Sequence, residues 1–328
     1  MRQYELRFGL LGAPVLYLPG GEVRPIGSPK VRALLATLLL EAGRIVSVGS
    51  VKDALWGGAP PVSAQASLHN HVTRLRRLLD DPERLRAVPP GYLLRVDGGE
   101  LDVEVFDTRV AQARAAHGRR EWATVLSACA DGLGLWRGSP LCGLPAGFGG
   151  YAFVQRLEEA RLLLLEWRYD AELALGGPRL GGVVPELTAL VAEYPLREAY
   201  HRQLMLALHR TGRQAEALAV HRDLRNRLIE ELGVEPGTAV REAHVRVLRG
   251  GDGAGEGASY QGASDGRAPS AQAGGGGRTG SGVSVTEASG DRRSVDDGGD
   301  ADAGAGCPPD DEEERPAGPG SARVGPAP

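Results

Sequence analysis

Between Ser63 and Leu79 the chain carries serine, asparagine, threonine and arginine side chains and no acidic residue. On a helix turning about 100° per residue, with Leu68 as the zero direction, Leu68, Val72, Leu75 and Leu79 fall within about 40° of one another and form an apolar stripe. Ser63, Ser67, Asn70, Thr73, Arg74 and Arg77 fall on the opposite side, and His71 and Leu78 flank the stripe. Arginine can donate two parallel hydrogen bonds to guanine O6 and N7, asparagine can pair with adenine N6 and N7, and small hydroxyls reach bases or phosphates. Asn70 and Arg74 are therefore assigned to base edges, Ser67 and Thr73 to lesser base or phosphate contacts, and Arg77 to phosphate. Exposed arginine is common, so a solvated basic face with no partner stays open as the plainer reading of this helix alone.

The next segments add to the nucleic-acid reading. LRAV and YLLRV, separated by Pro89-Pro90-Gly91, can pair as a hairpin beside the helix. Arg86 is assigned to a phosphate contact from there, with Arg95 and the hydroxyl of Tyr92 able to approach the same backbone. Tyr92 reads equally well as a core aromatic, and Pro-Pro-Gly as a plain turn.

Other elements must hold this helix and hairpin. YELRFGLLG, VLYL and EVRPI alternate and are broken by Pro and Gly, which predicts a small antiparallel sheet. SPKVRALLATLLLEAG predicts a first helix with Ser28 as N-cap, Pro29 at its first position and Gly43 as its stop. Ser47 caps a short second helix ending at Gly57-Gly58, and Ser63 is placed as the cap of the third. Downstream the apolar spacing predicts helix pairs: 105–118 with 120–138, 148–177 with 183–195, and 197–212 with 213–236. Gly212 between helices, Ala217 in the next helix and Pro near the pair ends point to tetratricopeptide-like units.

Beyond Gly250 the chain is rich in Gly, Ser, Ala and acids, with Tyr260 as its single aromatic, and is read as disordered. Residues 1–97 hold 13 Lys/Arg against 8 Asp/Glu, residues 98–249 hold 19 against 20, and residues 250–328 hold 6 against 14. The overall net charge of −4 thus conceals a basic first domain and an acidic tail, a distribution that suits a polyanion partner for the former. Within the tail, PPDDEEER could compete with that partner; a solvated tail without a role is the favoured reading.

Other chemistries find little purchase. His69 and His71, two apart, project about 200° from each other on a helix and cannot share a metal. GGGGRTGSG imitates a phosphate loop but has no lysine before its hydroxyl residue. No SxxK, CxxC or HExxH pattern occurs, so neither an enzyme nor a cofactor is expected. Cys129, Cys142 and Cys307 form neither a disulfide framework nor a metal motif. The longest apolar runs, ALLATLLL and RLLLLEW, are far below a span of about 20 residues, and a cytoplasmic protein with no membrane partner is expected.

The order of small sheet, three helices and hairpin, with PKVRALLATLLLEAGRIVSVGSVKDALWG, SLHNHVTRLRRLL and PPGY, resembles the winged helix-turn-helix of OmpR-type transcription factors. With ELDVEVFD, LWRGSPL and YPLREAYHRQLMLALHRTGRQAEALAVHRDLRNRLIEELGVEPG, residues 4 to 249 are similar to the Streptomyces antibiotic regulatory protein family, whose winged helix precedes a bacterial transcriptional activation domain. The resemblance implies a mainly α fold with small β: a winged helix-turn-helix over 1–97, an all-α tetratricopeptide-like domain over 98–249, and a disordered tail over 250–328. It also implies that the third helix enters the major groove of double-stranded promoter DNA while the wing meets the backbone. The expected protein is an activator of antibiotic genes that binds direct repeats as a homodimer on DNA and recruits RNA polymerase holoenzyme. A helical-repeat adaptor whose winged helix mediates protein contacts is the alternative. The chain departs from the family pattern at Ala87-Val88, where a Thr-Arg pair is common, at Gly49-Ser50, where a charged pair is usual, and at His221, where an aromatic is usual.

Overall fold

The computed structural model describes residues 5–145, 148–177 and 180–250; most of the segment read as a disordered tail, its PPDDEEER stretch and GGGGRTGSG lie outside the described residues. Three short strands, β1 (Phe8–Gly9), β2 (Val15–Tyr17) and β3 (Val23–Pro25), pair antiparallel in that order. Pro25, which cannot donate to a ladder, sits on the edge strand.

Helix α1 (Pro29–Leu40) begins as its sequence predicts, with proline at the first turn, but the Ser28 side chain makes no cap bond and the helix ends at Glu41 rather than Gly43. Its middle, Val31 and Ala33 to Leu39, is entirely buried, which is why an all-round apolar run stays helical here. Then come β4 (Ile45–Ser47) and α2 (Val48–Trp56), whose N-cap is the expected Ser47: its Oγ accepts from the Ser50 amide at 3.0 Å. Helix α3 (Ala64–Leu78) follows, but Ser63 supplies no side-chain cap, its backbone turning at φ −82° and ψ 7° instead of the extended geometry that aims a capping oxygen.

The hairpin forms as expected. Strands β5 (Leu85–Val88) and β6 (Gly91–Leu94) pair with Leu85 opposite Leu94 and Val88 opposite Gly91. Not foreseen was β4, which adds to the other side of β6, so the order is β4-β6-β5 and the wing strand lies in the middle of a three-stranded sheet. Gly91 is required there: a Cβ would collide with the carbonyl of Val46. Tyr92, opposite Val46, is 5 % exposed and belongs to the core, which removes it from the candidate phosphate contacts.

Seven helices complete the described chain: α4 (Asp102–Gly118), α5 (Trp122–Leu133), α6 (Tyr151–Leu175), α7 (Leu180–Glu193), α8 (Glu198–Arg210), α9 (Gln214–Leu232) and α10 (Thr238–Arg249). Helix α7 starts before Val183 and runs through Gly181 and Gly182. The last helix was missed by the pairing scheme; it packs on α8 and α9 through Val240, Ala243 and Val247. Gly212, at φ 78°, makes the turn between α8 and α9, and Ala217 is fully buried after it, as the tetratricopeptide reading requires.

Two apolar clusters divide the described residues, and the division does not fall at the end of the wing. One runs from Phe8 through the first three helices and the wing into α4, α5 and one side of α6, as far as Ala171. The other takes Tyr169 and Leu173 of α6 and runs through α7 to α10. The first cluster is reinforced by polar bonds at the N-terminus of α4. There the fully buried Asp102 carboxylate accepts from the Leu10 amide at 2.8 Å, the Leu11 amide at 3.1 Å and Arg137 Nη2 at 3.2 Å. Arg137 also donates Nη1 to the Ala13 carbonyl at 2.9 Å and its amide to Leu11 at 2.8 Å. Burial raises the Asp102 carboxyl above its ordinary value, against the opposing pull of the two amides and Arg137. Nearby, the buried Arg84 guanidinium holds Glu100 at 2.7 Å and Asp80 at 3.0 Å.

Candidate nucleic-acid interface

Helix α3 is oriented by the stripe its spacing predicts: Leu68, Val72, Leu75 and the following Leu79 are buried in the first cluster. That orientation leaves Asn70, Thr73, Arg74 and Arg77 exposed on the other side. Ser67 is only half-exposed, because it immediately precedes Leu68 and stands at the flank of the stripe. The Thr73 hydroxyl donates to the His69 carbonyl at 2.9 Å, so outward it offers lone pairs and a methyl group.

Arg74, Arg77 and Arg86 join no carboxylate among the described residues. Arg86 is exposed on β5, the edge strand of the wing sheet, opposite Leu93. Arg95, offered as a further backbone contact, is instead paired with Asp81 at 3.1 Å. Ala87 and Val88 bring no hydrogen-bonding side chain to the wing.

Two residues that the sequence reading left unassigned position this face. Arg76, between the buried Leu75 and the exposed Arg77, donates Nε to the Leu85 carbonyl at 2.9 Å and so ties the helix to the start of the wing. Lys30 on α1 donates its ammonium to the Leu55 carbonyl near the end of α2 and lies 5.7 Å from the Trp56 ring centroid. His71 faces the same corner, 6.3 Å from Trp56, where burial first and then the charges of Arg74 and Lys30 lower its pKa. Only tertiary neighbours reveal either role; in the sequence both are unremarkable bases. No group of three or more metal-ligating side chains occurs among the described residues, and no described helix is long and apolar enough to cross a membrane.

A buried-stripe helix presenting exposed arginine and asparagine, followed by a three-stranded wing and a helical module, defines the class of winged-helix transcriptional regulators. The model of the transcriptional regulatory protein C-terminal domain matches residues 24–94, and that of the bacterial transcriptional activator domain matches residues 101–248. Regulatory protein DnrI of Streptomyces peucetius is 37% identical over 254 residues, covering 74% of this chain and 92% of that protein. Regulatory protein AfsR of Streptomyces griseus is 43% identical over 249 residues, and there the chain spans only 24% of the relative's length. A solved structure of Mycobacterium tuberculosis EmbR, in complex with a low-affinity phosphopeptide, superposes with a TM-score of 0.66 at 35% identity, covering 75% of this chain and 66% of that one. The chain belongs to the Streptomyces antibiotic regulatory protein family, whose members are transcriptional regulators and not enzymes.

Proposed function

We propose that this chain is a cytoplasmic, sequence-specific DNA-binding activator of an antibiotic gene cluster. Residues 1–97 form its DNA-binding unit and residues 98–249 its activation unit. The observation that carries the reading is the outer face of α3, where Asn70, Thr73, Arg74 and Arg77 are exposed and the two arginines join no carboxylate among the described residues. A protein leaving such charge unpaired has it available for phosphates and guanine edges. Arg74 and Asn70 read bases, Ser67 and Thr73 add lesser contacts, and Arg77 with Arg86 grip phosphates.

Family membership supports the remainder: two protomers side by side on promoter direct repeats, with half-sites about one helical turn apart, and recruitment of RNA polymerase holoenzyme by the helical module. Quantitative footprinting across neighbouring promoters, repeated over a salt series, tests the reading. The expected result is protection of spaced repeats and a log-log salt slope near −0.9 for each phosphate neutralised. Equal affinity for promoter and random duplex would overturn it.

A further inference from the structure

A cavity of about 260 Å³ lies between the N-terminal sheet and the end of helix α3. Its apolar wall comes from Phe8, Leu16, Tyr17 and Leu18 on one side and from Leu78 and Leu79 on the other. Two guanidiniums, of Arg7 and Arg24, and the carboxylate of Asp80 also line it. The carboxylate is already engaged, since Arg84 Nε holds it at 3.0 Å while Arg7 Nε stands off at 3.9 Å. Arg7 bonds the exposed Glu5 through Nη2 at 2.6 Å, but its Nη1 is buried with no hydrogen-bond partner among the described residues. Arg24 is exposed and joins no carboxylate among them.

An apolar cleft with a few convergent polar groups is the usual form of a small-molecule site. We infer that this cavity binds a small amphipathic carboxylate, its acid group on Arg7 and Arg24 and its apolar body against Phe8, Leu16 and Leu79. The space of about 260 Å³ suits a bicyclic aromatic acid. The site shares a wall with the last turn of the recognition helix but is separate from the face assigned to DNA, so it is tested without DNA.

Naphthylacetate, with naphthylacetamide and naphthylethylamine as neutral and cationic counterparts, is titrated into the full 328-residue chain and followed by amide chemical shifts. The acid is expected to saturate with a Kd of about 1 mM or tighter and to shift the amides of Phe8, Tyr17 and Leu79, with the amide weaker and the amine silent. Arg24→Ala, at an exposed position that leaves the core intact, should weaken the acid about tenfold. Leu18→Trp should fill the cavity and abolish binding while leaving the remaining spectrum dispersed. No saturable shifts, equal binding of the amine, or unchanged affinity in both variants would each overturn the inference. So would binding that appears only after residues 1–4 are removed, since the cavity would then be the seat of the chain's own N-terminus.

Discussion

The recognition face and the joint between wing and helical module are both built on arginine, and they use it in opposite ways. At the joint, Arg84 is held by Glu100 and Asp80, and Arg137 by Asp102 and the Ala13 carbonyl. On α3, Arg74 and Arg77 extend into solvent with no carboxylate of the described residues in reach. Exposed arginines are held weakly even when paired, whereas a buried pair leaves an uncompensated charge if one partner is removed. The difference separates charge committed to the fold from charge kept for a partner, and substitutions should divide along the same line: stability at the joint, DNA affinity on the helix.

The largest effect is expected at Asp102. Truncation to alanine leaves two buried amides and Arg137 Nη2 without their acceptor, and Asp102→Ala should lower unfolding stability by about 3 kcal/mol in urea denaturation. Its pH dependence gives a second readout. Because burial raises the carboxyl, the folded chain binds a proton more tightly than the unfolded chain. The stability linked to that proton is full below the ordinary carboxylate range and is lost as pH rises through the raised value. Asp102→Asn should remove this slope. A loss under 1 kcal/mol, roughly what an exposed pair gives, would erase the distinction between joint and face.

Next in size is Arg74. Arg74→Ala should cost about 1–3 kcal/mol of specific DNA binding and relax the preference at one base pair, with unfolding midpoints unchanged. Arg77→Ala should instead weaken all sequences alike. If titrations on matched and mismatched duplexes show the two variants behaving identically, the division of the face into base-reading and phosphate-holding positions is wrong.

The same contrast governs what could be read from the sequence. The α3 stripe, the Ser47 cap, Pro29 at the start of α1 and the wing hairpin were legible because each depends on neighbours a few residues away. The joint was not, because Asp102 meets Leu10 across 92 residues and nothing local marks it. Strand β4, three residues long, is defined by its partner β6 rather than by its own alternation. Ser63 shows the limit of a residue-type rule, since the backbone there turns away from capping geometry. Helix α10 is a different failure: Val240, Ala243 and Val247 recur at helical spacing and would have shown it.

A smaller test concerns the scaffold beneath the face. Ser47 Oγ accepts from the Ser50 amide, so Ser47→Ala should lower stability by about 1 kcal/mol. If DNA affinity falls further than the folded fraction does, α2 contributes to recognition directly as well as by support.

The smallest effect is expected at Arg86, and it refines the comparison most. It shares exposure with Arg77 but stands on an edge strand whose next residues, Ala87 and Val88, supply no polar side chain. A single phosphate contact from such a wing changes affinity little at moderate salt, yet it removes one released counterion. Arg86→Ala should therefore leave base preference and stability untouched while reducing the log-log salt slope by about 0.9. An unchanged slope would make Arg86 a solvated charge and confine the interface to α3. A changed base preference would instead show that the wing reads sequence.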